Sequence, residues 1–337
     1  MPHKIDEQAL LLDIRSLDVD LKSPKETLPV LEGITLSVRP GEVVGIVGES
    51  GCGKSILSLS VLGLLPGNMS IRSGEIWVEA SPVHQLGKEQ IRRIRGRKVA
   101  MIFQDPMTSL NPSLTIGQQL IEGIRLHLEY SKTEAKAHAI RLLHKVGLSR
   151  PETLLGEYPH QLSGGMRQRV MIAMALSCNP DLIIADEPTT ALDVTIQAQI
   201  LDLLKQISEE EGTAILLVSH DLGVILEMCD RVAVMYAGQI VEEGPVDDIF
   251  TGPKHPYTIG LMSSVPSPGK KNQRLFSIKG TVPSLRERRG GCRFSTRCAH
   301  ATRECFEGTP VLKQVSGAHS ARCFLLEERG AEADAVS

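Results

Sequence analysis

The chain has 337 residues, which is enough for one large domain and a smaller one. Its hydrophobic fraction of 42% and charged fraction of 23% are ordinary for a soluble globular protein, and its net charge of −3 argues against a protein that coats nucleic acid. No apolar run approaches the roughly 18–20 residues that span a bilayer. Residues 1–12 lack the basic start and apolar core of a signal peptide. We therefore expect a cytoplasmic protein that can still dock on a membrane protein.

The first third of the chain predicts strands followed by a strand–loop–helix unit. Residues 10–38 indicate two or three short strands, separated by a polar loop at 22–29. A continuous apolar run at 43–47 predicts a buried strand, and the apolar run at 56–62 predicts a helix. Residues 66–97 are turn-rich and become basic towards their end.

The remainder of the chain predicts alternating strands and helices and then a linker. A short strand at 99–103 precedes a helical pattern at 113–149. Residues 182–236 alternate strand and helix twice, which is typical of helices layered on a mostly parallel sheet. Residues 263–291 are rich in Pro, Gly, Ser, Lys and Arg and predict a linker, and residues 327–337 are expected to be frayed.

Between the strand at 43–47 and the following helix lies a phosphate loop, residues 48–55. It fits the pattern G-x-x-x-x-G-K-[ST] and reads Gly48, Glu49, Ser50, Gly51, Cys52, Gly53, Lys54, Ser55. The glycines let backbone N–H groups turn towards a polyphosphate, and the helix N-terminus adds partial positive charge. Lys54 is expected to reach the β- and γ-phosphates of ATP, and the Ser55 hydroxyl is expected to bind Mg²⁺.

A second acidic element lies at the end of a buried strand. Residues 182–186 are apolar except for the final Asp186, and Glu187 follows directly. The strand would deliver Asp186 to the edge of the site, where it would hold Mg²⁺ through water. Glu187 is placed to orient or polarise the attacking water.

A third run supplies another anion-binding helix start. It comprises Leu162, Ser163, Gly164, Gly165 and Met166, followed by Arg-Gln-Arg and an apolar helix. Ser163 is a favourable N-cap, and the two glycines allow close backbone approach. One ATP does not need two such sites on one subunit, but an ATP sandwiched between two subunits does. The run resembles the signature motif of the ATP-binding cassette (ABC) family, which contacts ATP held by the partner subunit.

Further residues match that family one by one. Gln104, at the end of the strand at 99–103, resembles the Q-loop glutamine that touches Mg²⁺ and senses the γ-phosphate. The run Ala191-Leu192-Asp193 resembles the D-loop, with Asp193 at the dimer interface, and His220 resembles the switch histidine. The resemblance implies Glu187, His220, Lys54 and Gln104 as the catalytic set. It also implies that Ser55, Gln104 and Asp186 are the Mg²⁺ ligands.

The resemblance also implies a fold and a domain layout. The expected fold is α/β: a P-loop ATPase core with a mostly parallel sheet, N-terminal antiparallel strands, a helical signature subdomain and a small Cys-rich C-terminal extension. We expect an ABC ATPase domain at 1–250, with the helical subdomain at about 113–178. The HPY segment and a linker at 251–291, a four-cysteine metal or iron–sulfur module at 292–325 and a disordered tail at 326–337 would follow.

One departure from the family concerns the adenine base. The family stacks adenine on an aromatic residue ahead of the phosphate loop, but no Phe, Tyr or Trp lies between Asp13 and Val47. Adenine would then rest on aliphatic residues such as Leu28 or Val30. Because base–aromatic stacking contributes roughly 1–3 kcal/mol, we expect looser base discrimination and weaker nucleotide affinity.

The C-terminal segment carries two further patterns. Residues 253–258, with His255-Pro256-Tyr257 at their centre, resemble the HPY segment of the oligopeptide and dipeptide importers. Beyond it lies the cysteine segment, residues 292–323, with the spacing C-x5-C-x6-C-x17-C; its thiols are Cys292, Cys298, Cys305 and Cys323. Four thiolates can hold a [4Fe–4S] cluster or Zn²⁺, and free or disulfide-prone thiols are the third alternative. The resemblance favours the cluster. Four arginines are expected to offset thiolate charge: Arg293, Arg297, Arg303 and Arg322.

The resemblance predicts the ATPase subunit of a bacterial importer for dipeptides or short oligopeptides. It would lie on the cytoplasmic face of the inner membrane, paired with a second, related ABC ATPase subunit. The expected partners are two permease subunits, contacted through residues 104–112 and the helices up to 149, and an extracytoplasmic binding protein. The alternatives are an importer for nickel, an opine or a glycoside, and a non-transport ABC ATPase. Nucleic acid is not an expected partner.

Overall fold

The computed structural model describes residues 10–190, 192–264, 277–288 and 290–326. The predictions for the extreme N-terminus, for part of the linker and for the frayed tail fall on residues 1–9, 265–276 and 327–337, outside the described part. Within the described ranges, no helix combines the length and the apolar character needed to cross a membrane.

The described residues form twelve strands. The strands are β1 (Leu12–Lys22), β2 (Thr27–Val38), β3 (Val43–Val47), β4 (Met69–Val78), β5 (Ser81–Pro82), β6 (Val99–Ile102), β7 (Leu182–Asp186), β8 (Ala214–Val218), β9 (Arg231–Tyr236), β10 (Gln239–Pro245), β11 (Lys313–Ser316) and β12 (His319–Ala321). Every residue of β3, β7 and β8 is buried, as their continuous apolar sequences require.

The described residues also form twelve α-helices. The helices are α1 (Lys54–Val61), α2 (Lys88–Ile94), α3 (Pro106–Ser109), α4 (Ile116–Leu128), α5 (Lys132–Lys145), α6 (Pro151–Leu154), α7 (Gly164–Leu176), α8 (Val194–Glu211), α9 (Leu222–Met228), α10 (Val246–Thr251), α11 (Pro256–Ser263) and α12 (Arg303–Glu307). Capping boxes start α4 at Thr115 and α5 at Ser131, so both helix starts are encoded locally.

The chain divides into two units, and the first contains Met1–Asp13, Ser37–Val43 and Trp77–Val218. Within it, β6, β7 and β8 form a parallel sheet in which Leu182 pairs with both Val99 and Ala214. Helices α4, α5 and α7 pack on one another, and α7 also packs on β6. The predicted parallel sheet and helical region are therefore confirmed in this unit.

The second unit contains Ile14–Leu36, Val44–Ile76 and Ser219–Ser337. Strand β3 pairs with β9 in parallel, whereas β9–β10, β10–β12 and β12–β11 are antiparallel. The strands of this unit therefore form mixed rather than mostly parallel pairings. The C-terminal strands β11 and β12 extend the sheet, so the segment after the linker belongs to the fold of this unit.

A separate four-stranded sheet contains the N-terminal strands in the order β2–β1–β4–β5. The prediction of short strands was wrong here, because β1 and β2 have 11 and 12 residues. Residues 66–97 were described only as turn-rich, and the strand β4, which occupies ten of them, was not predicted. In the structure Gly74 has a φ of +89°, and a Cβ there would lie 2.4 Å from the carbonyl oxygen of Ser16, so the glycine permits close backbone approach within a strand.

Candidate functional site

The phosphate loop joins the end of β3 at Val47 to the start of α1 at Lys54. Gly48 must be glycine, because a Cβ would lie 2.2 Å from the carbonyl oxygen of Met235. Gly53 is the N-cap of α1 with a φ of +110°, a conformation that favours glycine. No side chain caps this helix start and no acidic residue lies in its first turn. The N–H groups and the positive end of α1 are thus left for an anion.

The Lys54 side chain is held inside the loop. Its Nζ donates to the carbonyl oxygen of Gly48 at 2.7 Å and lies 3.4 Å from that of Glu49. Lys54 is only 6% exposed, whereas the neighbouring Ser50, Gly51 and Ser55 are exposed. The loop therefore holds a fixed ammonium group beneath solvent-exposed residues, an arrangement that suits the binding of a polyphosphate from solvent.

In the first unit, the structure brings Gln104 and Glu187 together. The Gln104 Nε2 group donates to Oε2 of Glu187 at 2.9 Å, and the Thr190 hydroxyl donates to the same oxygen at 2.9 Å. Glu187 has a φ of +47°, and its N–H donates to the carbonyl oxygen of Val218 at 2.9 Å. A non-glycine residue in this conformation is strained and is characteristic of functional positions. Asp186 precedes it at the end of β7 and is 4% exposed.

The glycine-rich run at 162–166 forms the start of α7. Ser163 is the N-cap, and its hydroxyl accepts from the N–H of Met166 at 3.4 Å. Gly165 faces α8: a Cβ on it would lie 3.0 Å from Cγ2 of Ile196. The predicted Ser-capped helix start is therefore present, with a small residue where two helices approach closely.

The D-loop and switch residues lie next to helix starts. Asp193 caps α8 by accepting from the N–H of Ile196 at 3.0 Å, and Val194 beside it is 83% exposed; Ala191 lies outside the described residues. His220 is exposed and lies between β8 and Asp221, the N-cap of α9. The phosphate loop and His220 belong to the second unit, and the other predicted nucleotide residues belong to the first.

Three residues that touch the phosphate loop were missed as site residues. The hydroxyl of Tyr257 accepts from the N–H of Glu49 at 2.9 Å, and Arg297 pairs with the Glu49 carboxylate at 3.0 Å. Arg288 donates to the carbonyl oxygens of Val30 at 3.0 Å and Gly51 at 3.4 Å. The HPY segment was a usable signal for Tyr257. The arginines have no local signal, because more than 230 residues separate each from the loop.

The cysteine segment does not form a metal site in the described part of the chain. No three His, Cys, Asp or Glu side chains there form a group that could hold a metal ion, and this includes Cys292, Cys298, Cys305 and Cys323. Burial raises the pKa of the Cys292, Cys298 and Cys323 thiols, that of Cys323 to about 11. The arrangement of the described side chains therefore gives the predicted [4Fe–4S] cluster, and the Zn²⁺ alternative, no support.

The arginines expected to offset thiolate charge are engaged elsewhere. Arg297 pairs with Glu49, Arg293 with Glu32 and Arg303 with Glu307. Arg322 donates to the carbonyl oxygens of Ile240 and Pro310, at 2.9 and 3.1 Å. Three of the four thus neutralise carboxylates, which bind guanidinium more strongly than buried neutral thiols do.

Comparison with known proteins identifies the family. The ABC transporter family model matches residues 31–190, and the model of the oligopeptide/dipeptide transporter C-terminal region matches residues 241–305. The chain is 50% identical over 323 residues to the oligopeptide transport ATP-binding protein AppD of Bacillus subtilis, covering 96% of this chain and 98% of that protein. It is 46% identical to the dipeptide transport ATP-binding protein DppD of Haemophilus influenzae, covering 95% and 97%.

A solved structure agrees with these relatives. A dimeric ATP-binding cassette in a post-hydrolysis state, bound to ADP and Pi, matches with a TM-score of 0.63 and 29% identity, covering 70% of this chain and 98% of that one. The chain therefore belongs to the ABC transporter family of ATPases. Within that family, it carries the C-terminal region of the oligopeptide/dipeptide transporters.

Proposed function

We propose that this protein is the ATP-hydrolysing subunit of an importer for dipeptides or short oligopeptides. The observation that carries the proposal is the match along 96% of the chain to a relative named for oligopeptide transport, and along 95% to one named for dipeptide transport. The phosphate loop supports the ATPase part, because it holds a buried ammonium group beside an uncapped helix start.

The nucleotide roles follow the family motifs residue by residue. Lys54 and the N–H groups of residues 48–55 bind the phosphates and stabilise charge on the transferring phosphoryl group. Glu187 polarises the attacking water, Gln104 orients Glu187 through their hydrogen bond, and His220 donates to the γ-phosphate. The donor set of Ser55, Gln104 and Asp186 suits Mg²⁺, a hard cation that takes oxygen ligands and would neutralise phosphate charge.

The signature and D-loop residues are proposed to act across a dimer. Residues 162–166 would contact ATP held by a second cassette, and Asp193 would lie at the interface. Two observations support this: Val194 beside the D-loop is 83% exposed although apolar, and the solved cassette noted above is described as dimeric. The second subunit is proposed to be a related ABC ATPase, which makes the pair a heterodimer.

Two permeases are proposed to bind the first unit, so that the protein sits peripherally on the cytoplasmic face of the bacterial inner membrane. Phe103 and Met107, next to Gln104, are 38% and 59% exposed although apolar. A groove of about 780 Å³, lined by residues such as Ile121, Leu126 and Leu155 with Arg125 and Lys136 beside them, lies on helices α4–α6. Both surfaces suit a short amphipathic segment of a permease. An extracytoplasmic binding protein would supply the peptide.

The proposed domain layout has the ATPase domain at 1–250, with its helical subdomain at about 113–178. The HPY segment and linker at 251–291, the cysteine-containing region at 292–325 and the tail at 326–337 follow it. ATP and Mg²⁺ are the cofactors that the proposed function requires. The iron–sulfur cluster is not among them, because no group of three described His, Cys, Asp or Glu side chains could hold a metal ion.

The test is to capture the intact complex. Tagged Glu187→Gln protein is pulled from native membranes in the presence of ATP, with Lys54→Ala as the matched variant that is expected to bind ATP weakly. Two polytopic permeases and a second cassette ATPase should copurify, and more of the second cassette should remain with Glu187→Gln than with Lys54→Ala. Recovery of soluble protein alone, or of protein with DNA or ribosomes, would contradict the transport role.

A further inference from the structure

The HPY segment and the cysteine segment of the second unit meet the phosphate loop at one residue, Glu49. The N–H of Glu49 donates to the hydroxyl of Tyr257 at 2.9 Å. Its two carboxylate oxygens accept from the same Arg297 Nη1 at 3.2 and 3.0 Å. Its carbonyl oxygen accepts from the N–H of Cys52 at 3.2 Å and lies 3.4 Å from Lys54 Nζ. The backbone and side chain of Glu49 are therefore fixed on one side by the C-terminal region and linked on the other to the loop lysine.

Tyr257 and Arg297 are themselves rigidly held. The Tyr257 ring is fully buried and packs against Tyr236 and Phe294, with centroid distances of 4.7 and 5.5 Å. Burial raises the pKa of the Tyr257 hydroxyl, so the group stays neutral and can accept from Glu49 at physiological pH. Side chains locked by packing can hold a loop in one geometry without an entropic cost at the moment of ligand binding.

The Arg297 guanidinium is bound on every side. It donates to the Tyr236 hydroxyl at 3.3 Å and to the carbonyl oxygens of Lys279 and Ile278 at 2.9 and 3.4 Å. Its side chain is 5% exposed, and that of Glu49 is 28% exposed. Burial alone would lower the pKa of Arg297, but the hydrogen bonds to Glu49 and Tyr236 outweigh it and raise the pKa. The charge is therefore permanent, and its carboxylate partner is the Glu49 side chain.

This charge matters for an anionic ligand. Glu49 lies inside the loop that would surround the phosphates, and an unpaired carboxylate there would repel them. Arg297 cancels that negative charge, and Tyr257 fixes the backbone to which the Lys54 ammonium is hydrogen-bonded. Arg288 adds a third contact to the loop through the carbonyl oxygen of Gly51. Loss of Arg297 would thus change both the charge and the shape of the loop.

We propose that Tyr257 and Arg297 are positioning residues for ATP binding, and that the C-terminal region of this chain holds the phosphate loop ready for the nucleotide. The inference rests on the proposed ATPase function. Neither residue needs to touch ATP, because both act through Glu49. The effect is expected on nucleotide affinity and on KM, while kcat at saturating ATP stays close to that of the unmodified protein.

The experiment measures binding and turnover separately on the full-length chain. Binding is titrated with the fluorescent analogue mant-ATP and Mg²⁺, and KM and kcat are measured from phosphate release. The variants are Arg297→Ala, Glu49→Gln, the double variant, Tyr257→Phe and Arg297→Lys. Arg303→Ala is the matched control, because Arg303 is an exposed arginine of the same segment that pairs with Glu307 one helical turn away. Circular dichroism checks that each variant is folded.

For Arg297→Ala we expect Kd and KM to rise about tenfold, the scale of a lost charge-assisted hydrogen bond, with kcat changed less than about twofold. Adding Glu49→Gln should restore Kd to within about threefold of the original, because the unpaired charge is gone. A merely structural role would leave the double variant as weak as Arg297→Ala. Tyr257→Phe, which removes one oxygen, should raise Kd about threefold, and Arg297→Lys should lie between Arg297→Ala and the unmodified protein.

Two results would overturn the inference: an unchanged Kd in Arg297→Ala, or a double variant no better than the single one. If Arg297→Ala does not fold, Tyr257→Phe and Arg297→Lys decide in its place, and unchanged Kd values in both contradict the proposal. Failure of the proposed function looks different. In that case the unmodified protein binds mant-ATP without hydrolysing ATP, and the Kd series still tests the positioning role.

Discussion

The phosphate loop and the cysteine segment both belong to the second unit, but they differ in the charge of their functional groups. In the loop, the Lys54 ammonium is fixed by backbone carbonyl oxygens and lies beneath solvent-exposed residues. In the cysteine segment, burial raises the thiol pKa values and no metal-holding group forms among the described residues. The loop is prepared for a charged ligand, whereas burial in the cysteine segment favours the neutral thiol at Cys292, Cys298 and Cys323.

The difference shows where each kind of site gets its geometry. The loop depends on glycines and a helix start that are contiguous in sequence, so its backbone alone creates most of the site. A cysteine site needs four side chains from separate turns to converge, and that convergence depends on packing. What the cysteine segment contributes instead is Arg297 and the buried ring of Phe294, which support the loop through Glu49 and Tyr257.

The largest effect on stability is expected when the aromatic ring of Phe294 is removed, because this ring of the cysteine segment packs against Tyr257, which contacts the phosphate loop. Phe294 is 4% exposed and contacts the rings of Tyr236, Tyr257 and His255. Phe294→Ala should therefore lower the free energy of unfolding by about 3–5 kcal/mol, measured by urea denaturation. Phe306→Ala is the control, because Phe306 is 54% exposed and should cost less than about 0.5 kcal/mol. Equal costs for the two variants would show that the aromatic cluster does not stabilise this unit.

The next largest effect is expected at the Lys54 ammonium group of the phosphate loop. Lys54→Ala removes the ammonium that is hydrogen-bonded to Gly48, so ATP hydrolysis should fall by about 10²–10³-fold in kcat. Steady-state phosphate release measures the change, and Lys88→Ala, on an exposed position of α2, is the control. Retention of more than a tenth of the activity would contradict the role proposed for Lys54.

The sequence predicts most of the nucleotide motifs because their signals are local. The strand β3, the loop and α1 are one continuous run, and Glu187 follows β7 directly. The hydrogen bond from Gln104 to Glu187 joins residues 83 positions apart. The family resemblance assigned both residues to the nucleotide site but did not predict this bond. Strand β4 was missed because Gly74 and its polar neighbours hide the alternation. The Arg297–Glu49 pair spans 248 positions, so no local pattern could reveal it.

The charge state of the cysteine segment gives a third prediction. The Cys323 pKa is raised by burial from 9.0 to about 11, so alkylation by iodoacetamide should reach half its maximal rate near pH 11 in the folded protein. In urea the midpoint should fall to about 9. Between these values the unfolded chain releases a proton that the folded chain keeps, so stability falls as pH rises. A folded midpoint below pH 8 would instead indicate a thiolate ready for metal.

The smallest loss of stability is expected for a substitution of Cys298. If the four cysteines held a metal, the same substitution would instead cause the largest loss. Cys298 is half-buried, and its sulfur accepts from the N–H of His300 at 3.4 Å, a bond that a serine hydroxyl can also accept. Cys298→Ser should change the free energy of unfolding by less than about 1 kcal/mol and leave ATP hydrolysis unchanged. Metal analysis of the unmodified protein, purified without oxygen, should find well below one iron or zinc per chain. Stoichiometric iron that is lost in Cys298→Ser together with several kcal/mol of stability would establish a cluster, and the cysteine segment would then be a second prepared site beside the phosphate loop.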